Sequence, residues 1–411
     1  MKNHIYAPIL LISLLFWGCD SPPEKAVLEG KWIGKIAMQG KEMPFEMLIE
    51  TKSDSVVEAV IINGEERIVL DEISKTTDSI HITMNVFDIS LNLAIKNNTL
   101  TGYYIKHYLP GYQLPITFLK GDNRFLMEES DEQPASFSGT WEVTFVDTTA
   151  QDTTRAVGIF EQNGKKVTGT FLTPLGDYRY LDGVAEDNQL KLSTFDGNHA
   201  FLFEAFMQED GTLSGDFYSG KDWHESWTAV PNKDAKLPDP DSLTYLKRGY
   251  DRVYFEFPDL DGELVKFPNA DYENKVVILQ IFGTWCPNCM DETKFLTDWY
   301  DKNKERGVEI IGLAYETKDD FAYAKARVEK MINKWDVGYK FLIAGHDDKE
   351  AAAKTLPMLN QVIAFPTMII IDNDGEVHKI HTGFSGPGTG KYYDEFVTEF
   401  NTTLDKLLDK K

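Results

Sequence analysis

Cys286 and Cys289 stand three residues apart in Trp285-Cys286-Pro287-Asn288-Cys289, and the chain of 411 residues holds one other cysteine, Cys19. A disulfide framework draws on several well-separated pairs, so bridges do not staple this fold. A bond between Cys286 and Cys289 would close so short a loop that it adds little stability. What such a pair can do is exchange. One sulfur attacks a disulfide as its thiolate, and the other, one helical turn on, displaces the bound partner. Half of a zinc site is the other use of Cys-x-x-Cys. No second cysteine pair and no His-x-x-x-His exist in the sequence to complete four ligands, so no metal is expected.

For Cys286 to be the attacker, it needs the start of a helix, where unpaired backbone N–H groups and the helix dipole favour negative charge. The apolar run at residues 275–282 predicts a strand at the centre of a sheet covered on both faces. A helix follows from Cys286, with Pro287 in the first turn, where its missing N–H costs nothing. Residues 307–314 read as a second central strand, 319–335 as a helix, 347–356 as a helix, 367–372 as a third strand and 392–408 as a closing helix. Strand alternating with helix is the texture of an α/β layer fold. Gly383, Gly386, Gly388 and Gly390 lack the Gly-Lys-Thr arrangement of a phosphate loop and read as a turn. His378 and His381, three apart on a strand, point to opposite faces and make no ligand pair.

Upstream the texture is different. From residue 28 to 230 short alternating runs are separated by turns such as Asn63-Gly64, Asn163-Gly164 and Asp210-Gly211, which reads as antiparallel β built from hairpins. The region looks duplicated: Leu28-Glu29-Gly30-Lys31-Trp32 is matched by Phe137-Ser138-Gly139-Thr140-Trp141, and Asn98-Thr99-Leu100-Thr101-Gly102-Tyr103 by Gly211-Thr212-Leu213-Ser214-Gly215-Asp216. The fold class expected is therefore multidomain: two antiparallel all-β units, each a barrel or sandwich, at residues 28–126 and 137–230, a linker at 231–251, and an α/β domain at 252–411.

Residues 1–18 carry Lys2 and an apolar run of signal-peptide length, too short to span a bilayer, and residues 19–27 read as a linker. Gly18-Cys19 directly behind the run resembles the lipobox of a bacterial lipoprotein, with Phe16 and Trp17 where that family usually has Leu and a small residue. The resemblance implies lipidation of Cys19; an uncleaved or differently processed signal is the alternative. The formal charge of −24 excludes nucleic acid as a partner, since such binding rests on clustered Lys and Arg.

Phe282-Gly283-Thr284-Trp285-Cys286-Pro287-Asn288-Cys289-Met290-Asp291-Glu292, followed by Phe365-Pro366-Thr367, resembles thioredoxin-like proteins of the TlpA and ResA type over residues 252–411. The resemblance implies a thioredoxin-like domain with thiol-disulfide oxidoreductase activity and no cofactor. It implies a cis Pro366 facing the dithiol, with Trp285, Phe365 and Pro366 against the substrate. Thioredoxin has a buried Asp six residues before its first Cys, where Gln280 stands here. The ResA-like subgroup has Glu three residues after its second Cys, and Glu292 matches it. Glu292 is then a group that tunes the thiols or relays a proton; a solvated helix Glu is the bland alternative. Many members have Pro where this chain has Asn288, which leaves the direction of electron flow open. Residues 341–364 resemble the insert of this family, and Asp259-Leu260-Asp261-Gly262 the hairpin that opens redoxin domains.

The function expected is an oxidoreductase of the cell envelope, periplasm-facing and held by lipidated Cys19, that reduces oxidised client proteins, apocytochrome c among them, and draws on a membrane electron donor. An isomerase or oxidant is the same-class alternative. An envelope binding protein whose β repeats capture a partner or glycan is the other; it would need Trp223 and Trp227 on the surface, where core is expected for both. A peroxidase would have Thr in place of Gly283. Asp54-Ser55-Val56, Asp78-Ser79-Ile80, Asp147-Thr148-Thr149, Asp152-Thr153-Thr154 and Asp241-Ser242-Leu243 resemble the O-glycosylation pattern of Bacteroidota envelope proteins.

Overall fold

The computed structural model describes residues 28–52, 57–70, 72–125 and 133–409. The leader, Cys19, the first linker and Asp54-Ser55-Val56 lie outside the described residues. No described helix is long and apolar enough to cross a membrane.

The first β unit is a nine-stranded antiparallel sheet whose first strand, Gly30–Met38, pairs with both Lys41–Thr51 and the last strand, Gln113–Lys120. Its edge strands, Glu66–Leu70 and Glu72–Lys75, each have one partner, so the barrel is nearly closed. Alternation decides which face goes inside: Met43, Phe45, Met47 and Ile49 are fully buried. The second unit closes. Gly139–Asp147 pairs with Trp223–Pro231, and Thr153–Asn163 pairs with Lys166–Thr173, which completes an eight-stranded circuit. All three turn dipeptides close hairpins.

The duplication has a structural counterpart. Trp32 Nε1 donates to Leu28 O at 2.7 Å, and Trp141 Nε1 donates to Phe137 O at 2.9 Å, so one four-residue brace starts both barrels. The second core is aromatic, with Phe203 and Phe217 stacked at 4.3 Å beside Phe145, Phe171 and Trp227. Trp223 departs from the expectation. Four residues before buried Trp227, it stands 50% exposed at the rim of the barrel, beyond the packed layer.

In the third unit the hairpin Phe255–Pro258 and Leu264–Phe267 precedes a five-stranded mixed sheet. Its elements are β1 (Val276–Phe282), α1 (Pro287–Asn303), β2 (Val308–Glu316), α2 (Phe321–Trp335), β3 (Lys340–His346), α3 (Lys349–Thr355), β4 (Thr367–Ile371), β5 (Val377–Thr382) and α4 (Lys391–Leu408). The strand order is β3-β2-β1-β4-β5, with β1, β2 and β3 parallel and β4 antiparallel to both its neighbours, β1 and β5. Every residue of β1 is buried, as a central strand covered on both faces requires. The α2 and α3 helices start two residues later than their sequence pattern predicts. Asp320 accepts from Tyr323 N and Asp348 from Ala351 N, so each is the cap outside its helix. The insert-like stretch supplies edge strand β3 and α3.

The three units are packed together. A turn of the first unit sits on α2, where Arg327 Nη1 donates to Asn85 O at 2.6 Å and Tyr323 Oη to Asp88 Oδ2 at 3.0 Å. Arg124 of the first unit donates to Ser193 O of the second at 2.9 Å. Loops of the second unit meet the third at the start of α1.

Candidate active site

The chain leaves β1 through Gly283, where a Cβ would lie 2.6 Å from Tyr315 O and 2.1 Å from Trp285 Nε1, so only glycine fits. Cys286 is the N-cap of α1. Its sulfur accepts from Cys289 N at 3.2 Å, and Pro287 takes the first helical position. Cys289 is wholly buried and Cys286 is 7% exposed, and both are free thiols. Burial, followed by the neighbouring Cys286 thiol, pushes the Cys289 thiol well above the ordinary range.

The Phe365–Pro366 peptide is cis, and the Cys286 thiol donates to Phe365 O at 3.3 Å. Pro366 is buried behind that carbonyl, and its own carbonyl accepts from Gly383 N at 2.9 Å. Trp285, half-buried, donates through Nε1 to Tyr315 O at 2.9 Å, with its ring edge-on to Phe365 at 5.6 Å. The geometry therefore brings Trp285, Cys286, Cys289, Phe365 and Pro366 to one place.

Glu292 lies beneath them, fully buried rather than on a solvated face. Its Oε2 accepts from Gln280 Nε2 at 2.9 Å, and its Oε1 has no hydrogen-bond partner. Loss of hydration outweighs that bond and pushes the carboxyl up to about 8. Gln280, standing where thioredoxin has its acid, also donates to Thr293 Oγ1 at 3.1 Å and accepts from Tyr339 Oη at 3.1 Å. Gln280, Thr293, Tyr339 and Glu292 are thus one hydrogen-bonded group.

Sequence reasoning overlooked four residues here. Glu316, at the end of β2, accepts from Thr284 N at 2.8 Å and Thr284 Oγ1 at 2.9 Å, and burial pushes it up to about 7. A carboxylate at the end of an apolar strand, buried at every position but Glu309, was the available signal. Asn198, Asp177 and Arg179 come from the second β unit: Asn198 Nδ2 donates to Trp285 O at 2.7 Å, Asn288 Nδ2 to Asp177 O at 3.1 Å, and Arg179 Nη1 to Pro287 O at 3.3 Å. Local sequence carries no signal for any of these three.

A cysteine pair at a helix start, beside a cis-proline loop on a mixed sheet flanked by helices, defines the class of thioredoxin-fold dithiol proteins. Comparison with known proteins narrows it. A model of the AhpC/TSA family matches residues 251–380. The thiol-disulfide oxidoreductase ResA of Bacillus thuringiensis is 32% identical over 132 residues, which is 32% of this chain and 68% of that protein. ResA of Halalkalibacterium halodurans is 30% identical over 142 residues, 33% of this chain and 69% of that protein. Among solved structures, the thioredoxin domain of a thiol-disulfide oxidoreductase from Bacteroides vulgatus aligns with 37% of this chain and 99% of its own at 20% identity, with a TM-score of 0.28. The chain belongs to the ResA family and is a thioredoxin-like thiol-disulfide oxidoreductase.

Proposed function

We propose that this enzyme reduces disulfides of proteins in the cell envelope while tethered through lipidated Cys19, with Cys286 as attacker and Cys289 as resolver. The observation that carries the chemistry is the placement of Cys286 Sγ, 3.2 Å from Cys289 N at the helix start and 3.3 Å from Phe365 O of the cis peptide. A disulfide that approaches Cys286 meets half-buried Trp285 and the Phe365–Pro366 peptide beside the sulfur.

In the first step the Cys286 thiolate attacks one client sulfur. A bond forms between Cys286 and the client, the client disulfide breaks, and the released client thiolate takes up a proton. Cys289 then loses its proton and attacks Cys286 Sγ. The mixed disulfide breaks, the second client thiol leaves, and two electrons have passed to the client. Burial opposes ionisation of Cys289, so this step needs a nearby acceptor. Glu292 is the carboxyl in place: one turn along the same helix and fully buried, it holds its own proton up to about 8, and its ionised form is a stronger base toward that proton than an ordinary Glu carboxylate. A membrane donor restores the dithiol, and oxidised apocytochrome c is one client class.

Support for the location is the apolar run from Ile5 to Trp17 and Gly18-Cys19 behind it. Insulin reduction compared with peroxide turnover, with Cys286→Ser as control, tests the activity. Insulin reduction lost in the variant and slight peroxide turnover in both is expected; equal behaviour of the two proteins in both assays overturns the reading. A reduction potential near −270 mV, about that of thioredoxin, supports reduction, whereas one near −120 mV, about that of DsbA, favours the oxidant alternative.

A further inference from the structure

The second β unit grips the dithiol turn on both sides of Cys286. On the upstream side Asn198 holds the Trp285 carbonyl at 2.7 Å. Asn198 is itself held by the first unit, since Tyr108 Oη donates to its Oδ1 at 2.5 Å and Tyr104 Oη to its backbone carbonyl at 3.0 Å. On the downstream side Asn288 donates to Asp177 O at 3.1 Å, and Arg179 to Pro287 O at 3.3 Å. The loop carrying these residues lies directly on the turn: a Cβ on Gly176 would stand 2.4 Å from Asn288 Nδ2. Asp177 Oδ2 also accepts from Gly386 N at 2.7 Å, tying the same loop to the segment that follows β5.

Arg179 is the charge at the centre of this grip. Its side chain is 7% exposed and ion-pairs with Glu66 of the first unit, with Asp196 of its own at 3.5 Å and with Asp291 of α1. It adopts φ 58°, a left-handed backbone that a non-glycine residue takes at a cost, which the ion cluster and the Pro287 contact offset. A buried cation fixed against the first turn of α1, opposite a carboxylate on the same helix, acts on a group whose charge changes there. The reduced pair carries negative charge when Cys286 is a thiolate, and the disulfide carries none. Arg179 Nη1 lies 3.3 Å from the carbonyl of Pro287, the residue next to Cys286, and fixed charge is weakly screened in a site shielded from water.

We propose that the second β unit is a working part of the redox centre: Arg179 and Asp291 set the dithiol–disulfide equilibrium of Cys286 and Cys289, and Asn198 and Asn288 tie the dithiol turn to the unit. Arg179 and Asp291 are positioning residues that act through the cysteines, and the inference rests on reading those as the redox pair. It also gives Asn288, the departure from the family's usual Pro, a role as the side chain that joins the turn to Asp177.

The test is equilibration of the full-length protein with defined ratios of reduced and oxidised glutathione. One dithiol and one oxidised glutathione give one protein disulfide and two glutathione thiols, and alkylation with mass readout measures the reduced fraction. Arg179→Gln removes the cation, disfavours the reduced form and moves the equilibrium toward the disulfide by about tenfold, ~30 mV for this two-electron couple. Asp291→Asn removes an anion and moves it the opposite way, and Arg179→Lys stays close to the parent. General loosening of the fold would move Arg179→Gln and Asp291→Asn in one direction. Shifts of the same sign, or no shift, overturn the proposal. Should Arg179→Gln fail to fold, Asp291→Asn decides alone, because its carboxylate is partly exposed and also has Lys294 beside it. A parent protein that never forms the Cys286–Cys289 disulfide sinks the redox reading itself, which separates that failure from failure of the grip.

Discussion

Replacing Glu292 by Gln changes one oxygen of a fully buried carboxyl, and its effect on stability is set by pH. The folded chain holds this proton up to about 8, whereas the ordinary Glu value is 4.5. Between those limits the folded state is protonated and the unfolded state ionised, so unfolding releases a proton and stability falls as pH rises. The full difference corresponds to about 5 kcal/mol, reached above the folded value and absent below the unfolded one. Gln carries no such burden and can keep the bond from Gln280 Nε2. Urea unfolding of both proteins under reducing conditions at pH 5 and at pH 8.5 measures it. Glu316, pushed up to about 7, and Asp177, pushed up to about 6, contribute the same slope to both proteins and cancel. The stability of Glu292→Gln relative to the parent should rise by about 3–5 kcal/mol across that range. Parallel pH profiles would refute the reasoning, because they would mean that Glu292 titrates like a surface carboxyl. Activity should move the other way above about pH 8, where Glu292 is ionised in the parent: with no acceptor for the Cys289 proton, release of the mixed disulfide should slow by about 100-fold there.

Two further outcomes follow. Gly283→Ala places a methyl group 2.6 Å from Tyr315 O and into the Trp285 indole; it should break the Trp285–Tyr315 bond and cost about 1–3 kcal/mol, read as a lowered melting temperature and an altered tryptophan emission. Mass spectrometry of the mature N-terminus should find acylated Cys19 as the first residue, and a chain beginning upstream without acyl mass would remove the tether.

Much of the third unit was legible in the chain, because its evidence is local. The run ending at Phe282 announces a doubly covered strand, Pro287 marks the first turn of a helix, and the spacing from Cys286 to Cys289 is one turn. Glu292 was legible as a position, but its burial was not. A helix face is solvated or covered according to what packs on it, and here Gln280 arrives from β1 and, bonded to it, Tyr339 from the loop before β3. The β units show the same division. Alternation in Met43, Phe45 and Met47 says which side chains point inward, yet it is silent on whether a sheet closes, which in the second unit depends on Thr168 meeting Asp182 where the first unit keeps two edges. Farthest from view was the grip on the dithiol turn. Asn198 reaches Trp285 across 87 residues and Arg179 reaches Pro287 across 108, and neither separation leaves a period or motif in the sequence.

The central claim is that Cys286 attacks and Cys289 resolves, and trapping tests it most directly. Full-length Cys289→Ser, incubated with a peptide disulfide and digested without reductant, should hold the peptide as a mixed disulfide on Cys286, while Cys286→Ser should hold none. An adduct on Cys289 of comparable yield, or no adduct on either variant, would contradict the account.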